Sequence, residues 1–341
     1  MKFVVYSPEL FPILQEAAVR MNNSNLLHRP FVDYYYTSSN WCRLYLFMGI
    51  ENDIVGTIGV EKMTFMAEQR EITVGFASNF YTLQPGAGGL LFLHWMKTCP
   101  LGVVFGGNEY THNILTKQKW SYYPGAKTYW LNWRYETYAD EPFVRVIAKW
   151  ALRHTRRKRI ARYASRILPE AVKDLAVREE SSYASDLFPR RSPFTFRFAP
   201  TTEYLNWRYN TDLSFVRYRL FRILRNGVTI GYVVLNDAPE QVIVSHCDGE
   251  EAKSLAYGVL RSVLEVARED RKPRAVLLSS SHPVMQRVYE QFGFRAARQE
   301  RPLVFGAHRC RVQLPSDTSR WLINFDWGDN GLRSPFLDQP Q

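Results

Sequence analysis

The chain has 341 residues, a length that suits two domains of ordinary size. Hydrophobic residues make up 46% of it and aromatic residues 15%, which is enough to form real cores and argues against wholesale disorder. The formal net charge of +11 leaves three classes of partner open: nucleic acid, an anionic membrane surface and phosphate-bearing small molecules.

No uninterrupted apolar run reaches the roughly 18–20 residues that a membrane-spanning helix needs. The N-terminal apolar run is broken by Pro8, Glu9 and Pro12, which indicates a strand rather than a signal peptide. The four cysteines are scattered without a CxxC pair, so we expect a reducing, cytoplasmic setting. The seven histidines show no metal-ligand spacing, and we expect no metal.

The first part of the chain alternates short strands and helices. A strand is predicted at 2–7, an amphipathic helix at 8–22 and a second short helix at 30–37. Three strands then form an antiparallel meander, and a glycine-rich turn and a helix follow them. The predicted meander strands are 43–49, 54–65 and 70–83, and the elements after the turn and its helix are a strand at 102–107, a helix at 111–120 and a strand at 127–134.

The glycine-rich turn, QPGAGG at 84–89, leads from a strand into a helix-favouring run. Without Cβ atoms its backbone can approach a phosphate closely, and the N–H groups at a helix N-terminus favour an anion. The turn matches neither the G-x-G-x-x-G dinucleotide pattern nor the Gly-Lys-Ser/Thr of a P-loop. An ordinary strand-to-helix loop is therefore the alternative interpretation.

This order of elements resembles the fold of the GCN5-related N-acyltransferase (GNAT) family. The family's signature, Arg/Gln-x-x-Gly-x-Gly/Ala, begins the helix after the fourth strand and holds the pyrophosphate of acyl-coenzyme A. Gln84, Ala87 and Gly89 fit that register, whereas Pro85 removes one N–H group and the loop contains no arginine. Gly86 and Gly88 fit the register when it is shifted by one residue. The resemblance implies these cofactor-binding residues: Leu83, Gln84, Gly86, Ala87, Gly88, Gly89 and Asn113.

A strongly basic stretch at 141–166 is predicted to be helical and carries six basic residues between Arg153 and Arg162. We interpret it as a solvated connecting helix, with an anionic docking surface as the alternative. After it the pattern of elements starts again, with a hairpin signal at Asn226-Gly227 and a long amphipathic helix at 250–269. The sequence thus predicts an internal duplication.

The segment 284–294, VMQRVYEQFGF, resembles the Leu-Tyr-x-x-x-Gly-Phe ending of the family's fourth helix. In that family the tyrosine can protonate the departing thiolate of coenzyme A, and Tyr289 takes its place here. A buried aromatic residue on a helix is the alternative. The second copy has no glycine turn, because residues 247–251 are acidic and would repel a pyrophosphate.

The predicted fold class is α/β (α+β), with two tandem acyl-CoA N-acyltransferase-like domains, each a mixed, mainly antiparallel sheet flanked by helices. The domains are 1–140, with the pyrophosphate loop, and 171–341, which lacks it, joined by a basic helical linker at 141–170. The second domain either shapes the acceptor site or only supports the first. Residues 204–209 and 321–329 also resemble tandem acyltransferase-like proteins of bacterial polysaccharide gene clusters.

Acyl transfer from a thioester to an amine needs a base for the amine proton, a donor for the thioester oxygen and an acid for the thiolate. Glu61 and Glu71 lie on neighbouring predicted strands and are the candidate bases, each with a surface carboxylate as the alternative. Tyr289 and Tyr123, the latter interchangeable with Tyr122, are candidate acids. Asn108 is a candidate hydrogen-bond partner of the acceptor or of the pantetheine arm, and a helix cap is the alternative for Asn113. The resemblance places the oxygen donor on a backbone N–H within 80–83.

The resemblance therefore implies an acyl-CoA-dependent N-acyltransferase that transfers an acyl group, expected to be acetyl, to a small-molecule amine such as an amino sugar in cell-surface glycan biosynthesis. We expect it in the cytoplasm. A FemABX-like peptidyltransferase that uses aminoacyl-tRNA is the first alternative, which the positive charge favours and the glycine turn opposes. The second is a catalytically degenerate binding protein, which Pro85 and the divided motifs allow. The oligomeric state is left open.

Overall fold

The computed structural model describes residues 2–105, 107, 109–131, 142–162, 173–269, 274–307, 312–324 and 337. Both predicted domain boundaries, at 140 and 170, lie outside the described residues. So does the predicted acceptor contact, Asn108.

The first half of the chain forms a meander of strands that lie side by side in chain order. These strands are β1 (Lys2–Val5), β2 (Cys42–Met48), β3 (Ile54–Ala67), β4 (Arg70–Thr82) and β5 (Leu101–Phe105). Neighbours from β1 to β4 pair antiparallel, and β4 pairs with β5 in parallel. The antiparallel meander before the glycine turn therefore agrees with the prediction, although β2 is shifted by one residue, β3 is two residues longer and β4 is one residue shorter than predicted.

Helices cover the faces of this sheet. They are α1 (Phe11–Arg20), α2 (Ser24–Leu27), α3 (Arg29–Thr37), α4 (Ala87–Thr98) and α5 (Glu109–Lys117). The single helix predicted at 8–22 is a short 3₁₀ turn followed by α1. The helix α3 begins where Pro30 sets the backbone of the first turn and His28 Nδ1 accepts a hydrogen bond from the N–H of Phe31.

The second half repeats the arrangement. Its elements are β7 (Leu175–Glu180), β8 (Phe196–Phe198), α7 (Thr202–Arg208), β9 (Tyr218–Arg225), β10 (Val228–Asp237), β11 (Gln241–Gly249), α8 (Ala252–Glu269), β12 (Ala275–Ser280) and α9 (Pro283–Phe292). The strands β7, β9, β10 and β11 pair antiparallel in that order, and β11 pairs with β12 in parallel. The predicted hairpin turn is present, with φ of 48° at Asn226 and 81° at Gly227.

The two halves exchange strands. β6 (Ser121–Leu131) ends the first half yet pairs with β12 of the second, and β13 (Arg295–Ala307) ends the second half yet pairs with β5 of the first. β6 and β13 also pair with each other, so one continuous sheet runs β1-β2-β3-β4-β5-β13-β6-β12-β11-β10-β9-β7. Each half therefore completes the sheet of the other.

The strand β6 begins earlier than predicted. The sequence indicated a turn at Pro124-Gly125, but both residues lie inside β6 and oppose one residue of β13. This is a β-bulge, a position where the missing N–H of proline need not break the ladder. Turn-forming residues therefore mark a bulge here rather than the start of the strand.

The largest core cluster is shared between the halves. β8 pairs with β3, and the short strand β14 (Trp321–Leu322) pairs with β8, so that segments of the second half extend the sheet of the first. Phe196 stacks on Phe65 at 5.1 Å between ring centroids and contacts Trp321 at 4.7 Å. These aromatic rings are fully buried and join the two halves into one packed unit.

Candidate active site

β4 and β5 diverge shortly before the glycine turn. Their parallel pairing consists of Gly75 with Gly102 and Phe76 with Val103, whereas β4 continues to Thr82. Beyond Phe76 the described part of β5 no longer pairs with β4, so the backbone of β4 borders an opening in the sheet. An extended ligand can hydrogen-bond to a strand edge of this kind.

A β-bulge lies on β4 beside this opening. Asn79 and Phe80 together oppose the single residue Ile58 of β3. Asn79 has a φ of 47°, in the left-handed region that asparagine tolerates better than most residues. A bulge changes the direction in which the backbone groups after it point.

The bulge is held by buried hydrogen bonds. Nδ2 of Asn79 donates to Oη of Tyr36 at 2.5 Å, and Oδ1 of Asn79 accepts from Nδ2 of Asn23 at 2.9 Å. The carbonyl oxygen of Asn79 accepts from Oγ1 of Thr57 at 2.8 Å. Since Asn79 is only 3% exposed, these contacts fix the backbone geometry next to the opening. Asn79 was not among the predicted site residues, and its only mark in the sequence is that it is a lone amide among apolar and aromatic strand residues.

The glycine turn follows β4 directly and begins α4. Leu83 donates its N–H to the carbonyl of Val55 at 2.8 Å, which keeps the turn attached to β3. Gly86 is the N-cap residue of α4, with a φ of 82° that favours glycine, and no side chain caps the helix. The turn therefore delivers an uncapped helix N-terminus to the end of β4.

The first turn of α4 faces open space. A Cβ atom built on Gly89 would meet no atom within 4 Å, and one on Gly88 would meet only Thr82 Cγ2 at 3.7 Å. Packing within the protein therefore does not require glycine at either position. Gln84 is exposed beside them, and Ala87 turns inward.

Glu61 lies in a buried network between the two halves. Its carboxylate accepts hydrogen bonds from the hydroxyl groups of Tyr35 and Tyr204 and pairs with Arg208 Nε at 3.1 Å. The side chains of Glu61 and Arg208 are 0% and 1% exposed. Burial raises the pKa of Tyr35 well above its usual value, so its phenol remains a donor at neutral pH. Three donors from both halves thus converge on this carboxylate.

Glu71 lies at the opposite end of β4 from the glycine turn. It is exposed and pairs with Met66 beside the β3–β4 turn, roughly 35 Å from Thr82 at about 3.3 Å per strand residue. The structure therefore does not bring Glu71 to the glycine turn.

The predicted tyrosines also lie apart from each other. Tyr289 is 1% exposed in the core of the second half, where its ring contacts those of Tyr129 and Phe294, and burial raises its pKa well above the usual value. Tyr123 is half-buried on β6, 5.1 Å from the ring of Trp321 between centroids. Tyr122, the neighbour of Tyr123 on β6, is exposed, and so is Asn113 on α5.

The second half has a corresponding bulge that the chain itself covers. β11 stops pairing with β12 after Ile243, and Ser245 is the extra residue opposite β10. The next residues are buried: Cys247 contacts Asn324 Oδ1 at 3.2 Å, and Asp248 pairs with Arg197 at 2.6 Å. Where the first half has an open glycine turn, the second thus has a buried acid paired with an arginine, a burial that the acidic sequence at 247–251 did not predict.

Two features of the described residues bear on other functions. No three His, Cys, Asp or Glu side chains in the described segments are grouped as metal ligands would be. In the same part of the chain, none of the helices combines the length and the apolar character needed to cross a membrane.

No protein-family model and no curated protein matches this chain. Solved structures do match its fold. N-myristoyltransferase of Saccharomyces cerevisiae with bound myristoyl-CoA matches with a TM-score of 0.57 and 9% identity, over 94% of this chain and 85% of its own. A GCN5-related N-acetyltransferase of Anabaena variabilis matches with a TM-score of 0.51 and 9% identity, over 89% of this chain and 72% of its own. The predicted fold is thereby confirmed: the chain has the mixed α/β fold of the GCN5-related N-acyltransferases.

Proposed function

We propose that the protein is an acyl-CoA-dependent N-acyltransferase and that the first half of the chain binds the acyl-CoA. One observation carries this proposal: the divergence of β4 from β5, the bulge at Asn79 and the uncapped N-terminus of α4 all meet at one end of β4. Together they present donors for a thioester and for a pyrophosphate within one short segment.

The pyrophosphate is assigned to the N-terminus of α4. The first N–H groups of a helix have no partner within the helix, and the helix dipole favours an anion there. The open space above Gly88 and Gly89 lets phosphate oxygens reach these groups. Gln84 supplies an exposed amide beside them, while Leu83 and Asn113 remain predicted contacts of the cofactor.

The thioester oxygen is assigned to the edge of β4 after the bulge. The N–H of Leu83 is already donated to Val55 on β3, which removes it from the predicted range 80–83. Because N–H groups alternate sides along a strand, those of Phe80 and Thr82 face away from β3, toward the opening. A donor at this edge would stabilise the negative charge that develops when an amine attacks the thioester carbon.

In this reaction the amine nitrogen bonds to the carbonyl carbon, the carbon–sulfur bond breaks, and the proton lost by the amine balances the one gained by the coenzyme A thiolate. Glu61 remains the candidate base, since β3 pairs it with Phe76, the last residue of β4 that pairs with β5. Tyr123 and Tyr289 remain candidate acids. Glu71 is the weakest of the four candidates because of its position at the far end of β4.

The acceptor is proposed to be a small-molecule amine, with an amino sugar of glycan assembly as the first choice from the sequence resemblance. The acyl group is proposed to be acetyl, with longer chains tested beside it because a structural neighbour binds myristoyl-CoA. We place the protein in the cytoplasm, a reducing compartment that suits the buried cysteines Cys42, Cys99 and Cys247.

The test is an assay of coenzyme A release with acetyl-CoA or myristoyl-CoA and a panel of amines that includes amino sugars. We expect amine-dependent release of thiol that Gly89→Asp abolishes, because the added carboxylate repels the pyrophosphate. Thr73→Asp is the matched control, since it adds the same charge at an exposed position at the other end of β4. Transfer from aminoacyl-tRNA without any acyl-CoA reaction would contradict the proposal, as would a folded protein that reacts with neither donor.

A further inference from the structure

The helix α6 (Phe143–Arg162) exposes large apolar side chains on one side. Phe143 and Val144 are each 76% exposed, Trp150 is 66% exposed and Ile147 is 49% exposed. Residues spaced by three, four and seven positions share one face of a helix, so the four side chains form a single patch. At about 1.5 Å per residue, the helix is roughly 30 Å long.

Nothing described covers this patch. Within the described residues, no helix or strand packs extensively against α6. Ala151 and His154 on the same side are also exposed, and the ring of His154 stacks on that of Trp150 at 5.6 Å between centroids. Exposure of several large apolar side chains on one side of a helix is unfavourable in water, which indicates a binding partner.

All the Lys, Arg, Asp and Glu positions of α6 are basic residues. The helix contains no Asp or Glu, and the described side chains of Arg145 and Lys158 are exposed. Its basic residues, in chain order, are Arg145, Lys149, Arg153, Arg156, Arg157, Lys158, Arg159 and Arg162. The partner must therefore be anionic as well as able to bury apolar groups.

We propose that α6 docks the protein on the surface of an anionic lipid bilayer. Phe, Ile and Trp side chains insert at the boundary between headgroups and acyl chains, and Lys and Arg bind the anionic headgroups. An RNA backbone would satisfy the positive charge but would leave Phe143, Ile147 and Trp150 in water. A membrane surface accounts for both properties of the helix, and this inference does not depend on the proposed transferase activity.

The test is co-sedimentation of the full chain with phosphatidylcholine vesicles made with or without phosphatidylglycerol. We expect binding only when phosphatidylglycerol is present, and we expect added salt to weaken it. The double variant Phe143→Ser/Trp150→Ser should bind at least about tenfold more weakly, because the inserted apolar area is lost.

The matched control is Ile50→Ser, which removes an apolar side chain that is 85% exposed elsewhere on the surface. It should bind like the unchanged protein. Failure to bind the phosphatidylglycerol vesicles, or equal binding by the double variant and the unchanged protein, would overturn the proposal. Binding of tRNA by a protein that does not bind the vesicles would also overturn the proposal.

Discussion

At the scale of single residues, the site depends on two buried polar networks that the sequence did not reveal. Asn79 is held by Asn23 and Tyr36, and Glu61 is held by Tyr35, Tyr204 and Arg208. The alternation of side chains along a strand made Glu61 a candidate base. It did not show whether the side chain of Glu61 faces solvent, a cleft or the other half of the chain. The structure answers that question, because the partner residues come from distant parts of the sequence.

Asn79 is predicted to position the backbone that contacts the thioester. Asn79→Gly tolerates the positive φ but loses the side-chain clamp, so we expect kcat to fall by about tenfold or more with little change in the KM for acyl-CoA. Asn79→Ala should also lose stability, by about 1–2 kcal/mol from the left-handed backbone alone. Steady-state kinetics and thermal melting measure the two effects. An unchanged kcat in the glycine variant would refute this role.

Glu61 is predicted to be required for stability whatever its role in catalysis. Glu61→Gln removes the carboxylate charge that pairs with buried Arg208, which should lower the free energy of unfolding by about 3–5 kcal/mol. The control Glu71→Gln makes the same change at an exposed site and should stay within about 0.5 kcal/mol of the unchanged protein. Denaturant titration compares them. A Glu61→Gln variant that is fully stable but inactive would instead indicate that Glu61 acts as a base and does not stabilise the fold.

At the scale of elements, the strand β11 carries two buried titratable groups that change the pH dependence of stability in opposite directions. Burial, aided by the charge of Arg197, lowers the pKa of His246 to about 3, whereas burial raises the pKa of Asp248 to about 6. The unfolded chain therefore binds more protons than the folded one at His246 between pH 6.5 and 3. At Asp248 the folded state binds more between about pH 4 and 6.

These opposite signs predict opposite changes in the pH slope of stability in two variants. Asp248→Asn removes the group that favours folding at lower pH, so its stability should fall more steeply than that of the unchanged protein as pH decreases from about 6 to 4, by up to about 1.4 kcal/mol per pH unit. His246→Asn removes the group that favours folding at higher pH, so its stability should fall less steeply than that of the unchanged protein over the same range. Urea titrations at several pH values measure the slopes. Parallel slopes in the two variants would show that these groups do not titrate as described.

The elements that sequence patterns predicted well are those defined by local chemistry. The glycine turn, the start of α4 and the hairpin at Asn226-Gly227 follow from backbone preferences within a few residues. The strand exchange could not be predicted in this way, because β13 has the same pattern whether it pairs with β5 or with β12. Bulges at Asn79 and Pro124 were missed for a related reason, since a shift of one residue in pairing leaves little trace in composition.

At the scale of the whole molecule, the exchanged strands make the halves interdependent. β6 completes the sheet of the second half and β13 that of the first, and the largest core cluster draws residues from both. Removing either half would expose long strand edges and a large apolar surface. The duplicated chain is therefore one folding unit that carries two copies of a motif.

This interdependence predicts the behaviour of fragments cut between α6 and β7. Each fragment alone should fail to fold, whereas the two mixed together should restore native secondary structure and co-elute as one species. Circular dichroism and gel filtration would show this. A cooperative thermal transition in either isolated fragment would contradict the interdependence of the halves.

The central claim, that the first half binds acyl-CoA at the N-terminus of α4, is tested most directly by calorimetric titration with acetyl-CoA. The unchanged protein is predicted to bind at one site with micromolar affinity. Gly88→Ala should bind more weakly, since its Cβ fits the protein but narrows the phosphate site, and Gly88→Asp should not bind. Equal binding by all three proteins, or no binding by a folded, unchanged protein, would contradict the account.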